Sequence, residues 1–112
     1  MNEILLNKLN ELKDEISNSN EVKKLRELDA LLNKNEEVMK LAYAKDMASV
    51  AYEDALKHFG DNSQETLDAQ KKLHEAKLQL DTHELVKQYN EQFKIVRKMY
   101  DKINEELFNP FN

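Results

Sequence analysis

The sequence predicts an all-α fold, an extended antiparallel helical bundle of about five helices with a long C-terminal one, and three observations predict it. The 112 residues include one Gly and one Pro, too few to punctuate a sheet or long loops. Apolar residues recur at steps of three and four along almost the whole chain. A four-residue pattern, an Asx residue followed three positions later by Glu, occurs four times: Asn18-Ser-Asn-Glu21, Asn33-Lys-Asn-Glu36, Asn62-Ser-Gln-Glu65 and Asp81-Thr-His-Glu84. In each, the Asx side chain can accept a bond from the N–H three residues on, while the Glu reaches back and favours the positive end of the helix dipole. Asn18, Asn33, Asn62 and Asp81 are therefore read as helix caps, with latitude of one or two residues, to Asn20 or Asn35 for instance.

Cutting the chain at these caps leaves five segments, each with apolar residues at helical spacing. Leu5, Leu9, Leu12 and Ile16 line the first, and Val22, Leu25, Leu28 and Leu32 the second. The third carries Leu41, Ala44, Ala48, Ala51, Ala55 and Phe59, a stripe of mostly small residues that reads as a close packing face. Gly60, after "LKHF", is a natural left-handed stop for that helix. Ala69, Leu73, Ala76 and Leu80 line the fourth segment. The fifth runs Val86, Tyr89, Phe93, Val96, Tyr100, Ile103 and Leu107, alternating steps of three and four like a coiled-coil seam. A helix from about Glu84 to Leu107 would be roughly 36 Å long, more than the short helices of one small chain can cover. The bundle, a single domain over residues 1–112, is therefore expected to complete its core by dimerising. The ending "FNPFN" sets Phe108 and Phe111 around Pro110, which stops the helix and leaves an aromatic hook.

Composition limits what such a protein can do. A formal net charge of −5 disfavours direct RNA or DNA binding, which depends on neutralising phosphates with Lys and Arg. No apolar run is long enough to span a bilayer, and "MNEILLNKLNELKDE" becomes charged too early for a secretory signal, so a cytoplasmic protein is expected. The absence of cysteine removes disulfides, thiol nucleophiles, Cys-ligated zinc and iron–sulfur clusters together.

Residues with chemistry to offer are few. His58, His74 and His83 show neither the spacing of a metalloprotease helix nor the repeated Glu-x-x-His of a di-iron bundle. Asp54 and His58, one turn apart, are better read as a solvated pair, and His74 as an exposed or interfacial residue. With a single Gly there is no phosphate loop, and adjacent carboxylates such as Glu36/Glu37 and Glu105/Glu106 diverge by about 100° on a helix. Lys71, Lys72 and Lys77, with Glu75 among them, make only a weak basic patch. No catalytic residue, metal ligand or cofactor is expected. His83 reads as a boundary residue; on that reading Asp81→Ala costs about 1 kcal/mol through a lost cap, and His83→Ala costs little.

The block "AQKKLHEAKLQLDTHELVKQYNEQFKIVRKMYDKINEELFNPF", Ala69 to Phe111, resembles the C-terminal half of the YlbF/YmcA family of small helical bacterial proteins, and "EVKKLRELDALLNKNEEVMKL" is similar to its N-terminal half. The likeness is most specific at "LDTHELVKQYNEQF" and "INEELFNPF". It implies an all-helical fold that self-associates. It also implies a regulatory role: the best-known members assemble with relatives and another protein to modulate an endoribonuclease in mRNA processing, and so affect competence, sporulation and biofilm formation. Some members of that assembly carry iron–sulfur clusters on cysteines; this sequence has none, so no cluster carries over.

The function expected is that of a non-enzymatic regulator or adaptor acting by protein–protein interaction. It would form a homodimer or higher homo-oligomer, with related helical proteins or RNA-decay factors as partners. A purely structural homo-oligomer is the alternative, and a metal-binding bundle using His58 and His74 the less favoured one. Candidate contact residues are Tyr89, Phe93, Val96, Tyr100, Phe108 and Phe111, on the longest seam and its hook.

Overall fold

The computed structural model describes residues 2–108, with side chains as far as Glu106. Five helices and no strand occur among the described residues: α1 (Asn2–Ser17), α2 (Asn20–Lys34), α3 (Glu36–Phe59), α4 (Gln64–Asp81) and α5 (Glu84–Phe108). Pro110 and Phe111 lie outside the described residues, as do the side chains of Leu107 and Phe108.

The caps of α2 to α5 lie one or two residues beyond the positions first read for them. Ser19, not Asn18, caps α2: its Oγ accepts the Val22 N–H at 3.3 Å and donates to the Ile16 carbonyl. The Asn18 N–H still bonds back into α1, to Asp14 O at 3.0 Å. Asn35, not Asn33, caps α3, its Oδ1 accepting the Val38 N–H at 2.9 Å. Ser63, not Asn62, caps α4 and accepts the Thr66 N–H at 3.2 Å. Asp81 is the last residue of α4, and His83 takes the cap position of α5. One physical reason covers all four. The third residue after each true cap is β-branched and buried, namely Val22, Val38, Thr66 and Val86. Burying that residue sets the phase in which the helix starts, and the nearest side chain able to accept a backbone N–H then serves as cap.

The chain divides into two compact units, one of Met1–Ala30 with Gln88–Asn112, the other Leu31–Lys87. In the first, Ile16, Val22 and Val96 form a buried cluster with Leu25, Met99, Tyr100 and Ile103 packed against it. Leu9, Leu12 and Ile16 of α1 and Val22, Leu25 and Leu28 of α2 keep the inward face that their spacing predicts, while Leu5, read on the same stripe, is exposed. Full burial of such a side chain contributes about 1.5–3 kcal/mol, so this cluster decides whether the unit holds.

The second unit is built on a hairpin of α3 and α4, joined by residues 60–63 and hence antiparallel. Its turn is knit by Thr66, which is fully buried: Oγ1 donates to the Gly60 carbonyl at 2.7 Å and accepts from Ser63 Oγ at 2.8 Å. Gly60 does have positive φ, as the stop reading requires, but with φ 81° and ψ 174° it lies outside the left-handed helical region, in a region that essentially only glycine populates. Ala69, Leu73, Ala76 and Leu80 of α4 turn inward as expected. The small-residue stripe expected on α3 is rotated: Val38, Leu41, Ala48, Tyr52 and Ala55 are buried or half-buried, while Ala44, Ala51 and Phe59 stand in solvent. With apolar residues on more than one side, α3 does not declare its inner face by spacing alone.

Candidate functional site

The aromatic seam of α5 is where contact residues were expected, and the structure divides it. Val96 is core, and Tyr100 is half-buried against it, within the Ile16 and Val22 cluster. Phe93 is 46% exposed, and the buried position beside it belongs to Gln92, at 5%. Gln92 is tolerated there because its Nε2 donates to the Glu21 carbonyl at 2.8 Å, using a lone pair that the α2 ladder leaves free. The seam thus steps through Gln92 where spacing favoured Phe93. Phe93 instead stacks on the half-buried Tyr89, ring centroids 6.3 Å apart and planes 27° from parallel, an aromatic pair with one side in solvent. Of the four candidates whose side chains are described, Tyr89 and Phe93 together form an accessible aromatic surface, while Phe108 and Phe111 lie outside the described side chains.

A second accessible surface was not read from the sequence. Met39, Tyr43, Met47 and Val50 of α3 are all exposed large apolar residues, and their spacing puts them on one side of the helix, away from the face toward α4. The signal was present as an excess, since "VMKLAYAKDMASVAY" holds more apolar residues than one face can use. The small-residue reading absorbed that excess into a single stripe.

His83 has a structural task. Its Nδ1 accepts the Leu85 N–H at 3.2 Å, so the ring proton resides on Nε2, which faces Glu37 Oε2 at 3.5 Å. The imidazole is largely covered while Glu37 is mostly exposed, so the pair is screened and the cap is the stronger contribution. This reverses the expectation for the junction. His83→Ala is expected to cost about 1 kcal/mol, Asp81→Ala clearly less, and His83→Asn, which keeps an acceptor at the cap, to recover most of the loss. Urea denaturation of the three variants checks this; a larger loss for Asp81→Ala would return the cap to Asp81.

His58 and His74 are exposed. The His58 ring stands edge-on to Phe59 at 6.5 Å, and His74 lines a shallow depression with Tyr52, Gln70, Leu73 and Lys77. Among the described residues no group of three or more His, Asp or Glu side chains is placed to hold a metal ion.

The family model described as "Control of competence regulator ComK, YlbF/YmcA" matches residues 5–112. The chain belongs to the YlbF/YmcA family. Neither a curated protein nor a solved structure matches it. The match includes all of α2 to α5 and most of α1, and so both accessible surfaces. The YlbF/YmcA block "LDTHELVKQYNEQF" runs from the last turn of α4 through the His83 cap to the Tyr89 and Phe93 pair. A regulatory family and accessible apolar helix faces therefore meet in one chain.

Proposed function

We propose that this protein is a non-enzymatic regulator that works by binding other proteins through its helix faces, with related helical proteins or RNA-decay factors as partners in the cytoplasm. The observation that carries the reading is the Tyr89 and Phe93 pair, stacked and half in solvent where core packing would have covered it. Exposed aromatics of this kind anchor interfaces. The family's description as a control on a competence regulator supports a regulatory role, and control of mRNA processing, sporulation or biofilm formation follows from the same resemblance. The net charge of −5 favours protein partners over direct contact with nucleic acid. No helix among the described residues is long and apolar enough to cross a membrane.

The test is affinity capture of the tagged protein from its native cytoplasm, beside a tagged Phe93→Asp variant. Wild type is expected to bring down related helical proteins or RNA-decay factors. The variant is expected to lose them while its melting temperature stays within a few degrees of wild type, because Phe93 is not core. Retention of the same partners by the variant would remove α5 from the contact. Recovery of untagged copies of the chain alone would favour the second reading, a structural homo-oligomer, which the exposed face of α3 supports.

A further inference from the structure

The Tyr89 and Phe93 pair does not stand in neutral surroundings. Between Glu91 and Asp101 the chain holds Lys94, Arg97 and Lys98 and no acid, and all three cationic side chains are exposed. The whole chain carries −5, so without these three cations it carries −8. Measured round α5 from Phe93, Arg97 stands about 40°, Lys94 about 100° and Lys98 about 140° away, all in one direction. The buried Gln92 and Val96 lie in the other direction. The cations therefore border the aromatic pair on its open side. Past Gln92, on the opposite edge, Glu21 and Lys24 of α2 offset one another around a depression shared with Asn20 and Ile95. Along α5, two acids come near the basic border. Glu91 is about 160° from Phe93, on nearly the far side of the helix. Asp101 meets Arg97 at Nε, but at 3.9 Å, longer than a hydrogen bond, and both side chains are mostly exposed. The terminal nitrogens of the guanidinium are left for another carboxylate.

We infer that the partner segment covering Tyr89 and Phe93 is acidic: a peptide segment that seats an apolar side chain against the aromatic pair and sets carboxylates along one flank, opposite Arg97 and Lys94, with Lys98 beyond. Opposed potentials of this kind steer encounter and fix register. Single-stranded nucleic acid, which also stacks on aromatics, is the other polyanion that a basic aromatic surface attracts. It needs a basic groove that follows its backbone over several nucleotides, and here the cations span residues 94–98, about 6 Å of helix. A short acidic segment stays within a screening length of about 10 Å of the patch, whereas a long polyanion meets the −8 carried by the rest of the chain. The inference rests on the proposal that the aromatic pair is a protein contact, and it adds the chemistry of the partner.

The test selects random short peptides, displayed on phage, against the purified chain, with excess Phe93→Asp chain in solution to remove peptides that bind elsewhere. Enriched peptides are expected to carry Asp or Glu together with an aromatic or Leu residue. The tightest of them, made synthetically, should bind the Lys94→Glu, Arg97→Glu double variant about tenfold more weakly than wild type. Added salt should weaken its binding to wild type. Lys71→Glu with Lys72→Glu, the same change of charge on α4, should leave the affinity within about twofold. Circular dichroism confirms that each variant keeps its helices, all four positions being exposed. Enriched peptides without acids, an acidic peptide that binds the α5 double variant as tightly as wild type, or an equal loss for the α4 variant would each overturn the inference while leaving the contact surface in place. Displacement of the peptide by single-stranded polyuridylate would overturn it in favour of nucleic acid. No enrichment over the Phe93→Asp chain would instead remove the Tyr89 and Phe93 contact itself, and the inference with it.

Discussion

Val96→Asp is expected to unfold the unit containing α1 and most of α2 and α5, whereas Phe93→Asp, on the same helix, leaves it folded. Val96 is buried with Ile16 and Val22, and Leu25, Met99, Tyr100 and Ile103 close over that cluster. No cation is among these neighbours. A carboxylate placed there must either bring water into the cluster or stay protonated. Staying protonated at pH 7 means raising its pKa about 3 units above the ordinary 3.9, at 1.36 kcal/mol per unit, a penalty of about 4 kcal/mol before the lost valine packing is added. Against a total stability of about 5–15 kcal/mol for a typical domain, that is decisive for one unit. The sign with pH follows. The folded form would hold a proton that the unfolded form has released, so the deficit relative to wild type grows as pH rises through about 3.9 and is smallest below it. Urea denaturation followed by circular dichroism at several pH values, with amide exchange to separate the two units, checks both parts. An unchanged midpoint for Val96→Asp, or an equal collapse for Phe93→Asp, would show that the seam is placed wrongly.

That contrast also shows where spacing is informative. For α1, α2 and α4, period identifies Leu9, Ile16, Val22, Leu28 and Leu73 as inward, although Ile4 and Leu6 of α1, Leu31 of α2 and Leu67 and Leu78 of α4 stand exposed. The extent of α5, Glu84–Phe108, follows from the same periodicity. Period fails where a polar residue takes a core position, as Gln92 does through a bond to an α2 carbonyl, because nothing in the α5 sequence announces that carbonyl. It fails again on α3, where two apolar faces compete and the chain must choose which one meets α4. The candidate site inherits both failures. Tyr89 and Phe93 were found, but as seam and not as open surface, and the Met39 to Val50 face was missed. Helix junctions were legible as junctions, while their caps, apart from the Asn35 alternative, were not. A cap is selected by the burial of Val22, Val38, Thr66 or Val86 three residues on, and burial belongs to the tertiary structure. His83 is the sharpest case, since one nitrogen answers the local N–H of Leu85 and the other faces Glu37, remote in sequence.

Gly60→Val is expected to cost about 3 kcal/mol or more, although no atom lies within 4 Å of where a Cβ would stand. The cost is conformational. With φ 81° and ψ 174°, an L residue at this position carries strain of about 1–3 kcal/mol, at the upper end for a β-branched side chain. The backbone cannot rotate away from these angles cheaply. The Gly60 carbonyl receives the Thr66 hydroxyl at 2.7 Å and the Ser63 hydroxyl at 3.2 Å, and turning it would leave the buried Thr66 Oγ1–H without its acceptor, about 1–3 kcal/mol more. Asparagine separates this account from an ordinary left-handed stop. At a left-handed helical stop Asn replaces Gly with little loss, but with ψ at 174° its side chain gains no such relief, so Gly60→Asn should fall near Gly60→Ala, both about 2 kcal/mol below wild type. D-alanine is the converse control, because its mirrored angles are ordinary extended backbone, and it should be accepted. Thermal melts of the set decide the matter: a Gly60→Asn variant as stable as wild type would mean that the turn relaxes to left-handed helical angles, and that the Thr66 bond does not hold it.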